Sequence, residues 1–262
     1  MRLHPAAWIA WAACGGLVAL STTNPLYLVP LLAVAWFVYA RRRRDGPTAR
    51  SFTTLLAVGG AALVVRTALV LLDTVDASTV AFSFLEGLRL ATLLVVFGTF
   101  NAVADPFGVL RLAPRRFHEP ALAAALALSI APRTIESAAA VREAQRVRGI
   151  DARGWRSVPA LALPVLETGM ESAVSLAESM DARGHGRGRR TRYRPERWTA
   201  SSTVATATAA LAAGAFVACG VAGVGALVPS TSPLTWPDAS TALILAVCLL
   251  AAPGALGRSD TA

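Results

Sequence analysis

Hydrophobic and polar positions in this chain are segregated into long blocks and do not alternate residue by residue. Apolar runs cover Ala6–Leu20, Pro25–Ala40, Phe52–Leu72, Val80–Ala104, about Ala200–Val228 and Ala239–Ala252. A helix needs roughly 20 such residues to cross a bilayer. The six blocks therefore read as membrane spans, with the first and last short. The fifth has the weakest signal, because Ser201–Ala210 is mostly Ala, Ser and Thr. Ser21–Asn24 followed by Pro25 reads as the turn of a helical hairpin. A signal peptide is the competing reading of Met1–Leu20, but five further apolar runs behind it favour a span.

The stretch Asp105–Arg197 has a different pattern and is too long for a plain connector. Leu122, Leu126, Ser129, Arg133 and Glu136 step at three or four residues, which predicts an amphipathic helix over Pro120–Arg148. Glu119-Pro120 suits its start, Gly149 suits its end, and Pro132 should kink it. After a linker at Ile150–Pro159, a second helix is expected over about Ala160–Arg183. Its apolar side carries Leu161, Val165, Leu166, Met170, Val174 and Leu176, and Pro164 falls in its first turn or marks a later start. Gly184-His185-Gly186 ends it, and Arg187–Arg197 forms a basic strip leading back to the membrane.

The pattern thus predicts an all-α polytopic membrane protein with about six spans and two long helices between spans four and five. Its expected parts are a four-span region over 1–104, a cytoplasmic module over 105–197 and a two-span region over 198–262. Composition agrees: of 262 residues 55% are hydrophobic and 16% charged, against about 45–50% and 25% in soluble domains. Cys14, Cys219 and Cys248 lie inside apolar runs, which excludes a secreted disulfide scaffold.

Charge placement sets the orientation. All 25 Lys+Arg residues are arginine and the net charge is +9. Arg41–Arg44 marks a cytoplasmic end of the second span, whereas Asp73–Ser78 and Pro229–Asp238 lack arginine and are expected outside. Both termini then fall in the cytoplasm of a cell-membrane protein. The central module holds 16 of the 25 arginines against ten acidic residues.

The most specific chemistry is an internal echo. One predicted helix ends Glu143-Ala144-Gln145-Arg146-Val147-Arg148-Gly149, and the other ends Glu178-Ser179-Met180-Asp181-Ala182-Arg183-Gly184. The two Arg-Gly pairs are 35 positions apart. Ordinary capping accounts for one such end, since cations suit a helix C-terminus and glycine suits C′. Two matched ends on neighbouring helices favour a role for Arg148 and Arg183 as guanidinium forks that grip carboxylates of another protein.

On these residues the chain resembles the transmembrane T component of energy-coupling factor (ECF) importers, a family related to the Q component of cobalt permeases. Its hallmark is a pair of Ala-Arg-Gly motifs ending two cytoplasmic coupling helices. Ala182-Arg183-Gly184 matches in full, with Glu178 and Met180 fitting the upstream context. Val147-Arg148-Gly149 differs by Val for Ala, behind the matching lead-in Glu143-Ala144-Gln145, and His185 stands where Tyr is common. Ala104-Asp105-Pro106 with Leu110-Arg111-Leu112 and Ala113-Pro114 is similar to the family's exit from the membrane. The resemblance implies partners: two ABC-type ATPase subunits, a substrate-binding membrane S component and lipid. It implies Arg148 and Arg183 as ATPase-coupling residues, with Gly149 and Gly184 permitting close approach and Val147 and Ala182 packing there. The apolar faces around Leu122–Ile130 and Leu161–Val174 would carry the S component. The subunit would be a non-catalytic lever without cofactor, and the cargo a vitamin or transition-metal ion.

Other features rank lower. Without any lysine the chain cannot form a Walker A phosphate loop. His4, His118 and His185 have no metal-ligand spacing. Gly184–Gly188 lacks the strand a phosphate cradle needs. Arg66, Glu86 and Arg89 fall in or near spans, where charges are placed for a reason; Glu86 and Arg89 can pair on one helix face, and structural pairing competes with subunit contact. Gly59-Gly60, Gly214, Gly220 and Gly223 allow close helix packing. Arg41–Arg44 and Arg187–Arg197 suit anionic lipid headgroups, at roughly 1 kcal/mol per basic residue. A membrane-anchored nucleic-acid-binding protein is the alternative function, disfavoured by the few aromatics and many acids of the central module. A membrane enzyme lacks a carboxylate–histidine or cysteine cluster.

Overall fold

The computed structural model describes residues 3–43, 49–73, 76–149, 158–185, 197–224, 227–229 and 237–256. Arg44, most of the Ile150–Pro159 linker, Gly186 of the helix end, Arg187 through Glu196 of the basic strip and most of Pro229–Asp238 lie outside the described residues. Ten α-helices are described, with no strand among the described residues: α1 Pro5–Ser21, α2 Pro25–Arg42, α3 Ala49–Asp73, α4 Ala77–Val103, α5 Pro106–Arg111, α6 His118–Val147, α7 Val158–Ala182, α8 Ala200–Ala222, α9 Thr241–Leu249 and α10 Ala252–Ala255. Ser51–Leu72 of α3, α4 and α8 are each long and apolar enough to cross a bilayer, and α1 is a shorter apolar helix. Among the described residues these three helices are candidate spans, in keeping with a helical membrane protein.

The chain divides into two compact units, one of Met1–Leu112 with Glu196–Ala262 and one of Ala113–Pro195. In the first, α4 packs against α1, α2 and α3, and α1 packs against α8. Trp11, Tyr27, Leu31, Val96 and Phe216 are fully buried at its centre. In a medium that offers no hydrogen bonds, helix ends must be satisfied internally. The Asn24 carboxamide oxygen accepts the Leu26 N–H at 3.0 Å to start α2. The Asp105 carboxylate accepts the Phe107 N–H at 3.2 Å to start α5. At the head of α4, the Ser78 hydroxyl and then that of Thr79 donate to Asp76 and hold its carboxyl below the usual carboxylate range.

The two chain ends of this unit are tied by polar bonds. Thr22 Oγ1 donates to the Leu227 carbonyl at 2.7 Å, Asn24 Nδ2 to the Asp238 carbonyl at 2.8 Å, and the Ser240 N–H to the Tyr27 hydroxyl at 2.8 Å. Arg42 Nε donates to the Pro253 carbonyl at 3.0 Å. The sixth apolar run departs from the single helix expected over Ala239–Ala252. It breaks at Leu250-Ala251, because Pro253 has no N–H and its ring crowds the carbonyl four residues back. Gly254 N–H turns to Ala251, and the Leu250 carbonyl accepts the buried Trp11 indole N–H at 2.8 Å.

The fifth run also ends earlier than Val228, at Ala222, where Gly223 takes a left-handed φ of +65°. Of the glycines read as packing points, Gly59 is one: a Cβ there would sit 3.1 Å from Ala91 Cα. Gly60 and Gly214 face open space, and a Cβ at Gly220 would make only ordinary contact with Leu227. Gly87 and Gly98, both in α4, complete the close α3–α4 contact instead, with Leu63 Cα 3.0 Å and Leu55 Cβ 3.2 Å from the positions their Cβ atoms would take.

Candidate functional site

In the second unit, α6 and α7 pack against each other. α6 runs through Pro132 and starts at His118, earlier than Pro120, and α7 starts at Val158 with Pro164 inside it. The amphipathic pattern holds in part. Leu122 and Leu126 are half-buried, as are Leu161, Val165, Leu176 and Met180, whereas Ser129, Arg133 and Glu136 are exposed. No residue of α6 is fully buried. Leu166, Met170 and Val174 face outward, joined by Ile135 and Leu163, which the helical stripe did not single out. Met170 and Leu163 are 70% and 73% exposed, so a broad apolar surface remains uncovered in this unit.

The two echoed segments close their helices in the same way. Arg148 sits at the C-cap of α6 (φ −77°, ψ 3°), its N–H bonded to the Ala144 carbonyl, and Gly149 follows with φ +75° and its N–H on the Arg146 carbonyl at 3.0 Å. At α7, the Arg183 N–H bonds to Ser179, Gly184 has φ +75° with its N–H on Asp181 at 2.8 Å, and the His185 N–H reaches back to Met180 at 2.9 Å. That pair of bonds is the Schellman turn, which requires a residue comfortable in the left-handed region.

Capping requires the glycines but does not require the arginines. α8 provides an internal control, since Gly223 is left-handed and the Val224 N–H returns to Cys219 at 3.0 Å, yet Ala222 precedes that glycine. The turn therefore forms without a cation. Arg148 and Arg183 are exposed, Val147 is 85% exposed and Ala182 is exposed beside Arg183. Glu143, Ala144 and Glu178 are exposed, and Gln145 is half-buried with its carboxamide oxygen covered and unbonded.

Elsewhere the first unit resolves part of the charge pattern. Arg89 Nη1 pairs with Glu86 Oε1 at 3.2 Å, and Arg89 Nη2 donates to the Leu20 carbonyl in the last turn of α1. This cation thus caps a helix end. Arg66 is exposed on α3. Among the described residues, no group of three or more His, Cys, Asp or Glu is placed to hold a metal ion.

No family model matches the chain. It is similar to the energy-coupling factor transporter transmembrane protein EcfT of Exiguobacterium sibiricum, with 32% identity over 105 residues, or 37% of this chain. The chain matches 39% of the length of that relative. The similarity to a transmembrane transporter protein agrees with the apolar helices of the first unit.

Proposed function

We propose that this chain is the transmembrane T component of an ECF-type importer for a vitamin or a transition-metal ion. The observation that carries this reading is the matched pair of arginine-bearing ends on two packed helices, α6 and α7. Arg148 and Arg183 are the coupling residues, each extending past a closed helix end to meet acidic side chains of one of two ABC-type ATPase subunits. Gly149 and Gly184 let a partner backbone approach, while Val147 and Ala182 pack at the same contact. Glu143, Ala144, Gln145, Glu178 and Met180 support the last turns. ATP binding and hydrolysis stay in the partner subunits, and this chain passes their movement as a lever, without chemistry of its own. The exposed apolar surface that includes Leu163, Leu166, Met170 and Val174 then carries the substrate-binding membrane subunit, which chooses the cargo.

In this reading the chain has six spans, and both termini and the α6–α7 module face the cytoplasm of the cell membrane. The arginine distribution supports that orientation.

The test is co-purification after charge reversal. With the chain co-expressed with its neighbouring ATPase and membrane subunits, Arg148→Glu with Arg183→Glu is expected to lower ATPase recovery at least about thirtyfold, since truncating one partner of a buried ion pair costs about 2–5 kcal/mol. Energised uptake should fall with it. Full recovery of both ATPases with the doubly reversed chain would overturn the reading. Arg183→Lys should restore little, because an ammonium lacks the bidentate fork.

A further inference from the structure

α3 is the least covered of the three candidate spans: 6% of its most apolar stretch is buried, against 33% for α4 and 28% for α8. Its close neighbour in the fold is α4. Val58, Val64, Val65 and Leu69 lie open on it, as lipid-facing residues would, and so does Arg66. No carboxylate among the described residues pairs with this guanidinium. Glu86, the acidic residue within α4, is already held by Arg89 at 3.2 Å.

Depth makes the exposed charge informative. Arg66 stands six residues before Leu72, the end of the span, which is about 9 Å at a rise of ~1.5 Å per residue. Helical side chains leave the backbone toward the N-terminus, so the Arg66 stem sets off away from this nearer end. Snorkelling to that headgroup layer would run against its own direction. A charge left in hydrocarbon is costly, and arginines in spans normally meet a counter-charge. A second copy of this chain packed α3 against α3 offers none, since it would bring Arg66 against Arg66.

We propose that Arg66 is the anchor of a subunit contact within the membrane, pairing with an aspartate or glutamate on a transmembrane helix of the substrate-binding subunit laid along the open face of α3. This rests on the importer reading, which supplies that subunit. It adds an ionic contact on α3, separate from the α6–α7 surface.

The experiment uses the co-expressed complex and reads the ATPases and the substrate-binding subunit separately. Arg66→Leu, which inserts more readily than the native residue, should lower recovery of the substrate-binding subunit at least about tenfold while both ATPases stay bound. Arg66→Glu should lower it further, and Arg66→Lys should restore most of it. Wild-type recovery of that subunit with both Arg66→Leu and Arg66→Glu would overturn the proposal while leaving the importer reading in place. A wild-type chain that brings down neither ATPases nor a second membrane subunit would remove the importer reading and this contact with it. Binding of phosphatidylglycerol vesicles by the wild-type chain that Arg66→Leu abolishes, with recovery of the substrate-binding subunit unchanged, would assign the counter-charge to a lipid phosphate and overturn the proposal.

Discussion

Two glycines, one inside α7 and one just past its end, are expected to respond to one substitution with opposite signs. Gly169 lies inside the helix with open space around its missing side chain, so Gly169→Ala should stabilise the segment by about 0.5–1 kcal/mol through reduced backbone entropy. Gly184 holds φ +75°, where a Cβ meets the carbonyl that follows, and Gly184→Ala should cost about 1–2 kcal/mol. Amide hydrogen exchange at His185, whose N–H closes the turn on Met180, reads the difference: slower or unchanged in the first variant and faster in the second. At this scale much was legible in the sequence. A glycine after a helical run announces a left-handed cap, and the Arg-Gly repeat was visible as text. The burial of the Gln145 carboxamide oxygen was not, because it depends on which face of α6 is covered.

Between elements, the α3–α4 contact should be the most sensitive to added bulk. A methyl at Gly87 would lie 3.0 Å from the Leu63 Cα, and backbone cannot swing aside as a side chain can. Gly87→Ala should destabilise the detergent-solubilised protein by about 1–3 kcal/mol, the range for overpacking. Gly60→Ala, on open space in the same helix pair, should leave the unfolding midpoint in an SDS titration unchanged or slightly raised. Equal midpoints for the two variants would contradict the close contact. Hydropathy located the helices because bilayer length and helix period are properties of the sequence itself. It could not separate Gly59 from Gly60, which differ only in the direction they face. Nor did it find the break at Leu250-Ala251, since Ala239–Ala252 is apolar throughout and the cause, Pro253, lies just past the run.

Across the molecule, the membrane unit is closed by bonds between its two ends. Trp11 and Leu250 are both fully buried, and the indole is the donor to the carbonyl freed by the helix break. Trp11→Phe removes the N–H together with the pyrrole part of the indole, leaving that carbonyl buried and unbonded at a cost of about 1–3 kcal/mol, with a small cavity beside it. The loss should appear as a lower melting temperature and as earlier proteolysis within α9 and α10. An unchanged melting temperature would mean that neither the bond nor the packing of the lost ring carries net stability. Nothing in the sequence pointed to this pair, because residues 239 positions apart are joined by packing alone.

That separation has a consequence for how the protein is made. The unit built from Met1–Leu112 and Glu196–Ala262 is interrupted by the whole of Ala113–Pro195. At about 5–20 residues per second, the 239 positions between Trp11 and Leu250 take roughly 12–50 s to synthesise. α6 and α7 are completed within that interval, while the Trp11 indole, Thr22 and Asn24 still await their acceptors. The nascent chain therefore displays its exposed apolar helix pair before its membrane half can close. Assembly during that window, with a partner or a chaperone, is governed by the order of the chain as much as by the stability of the finished fold.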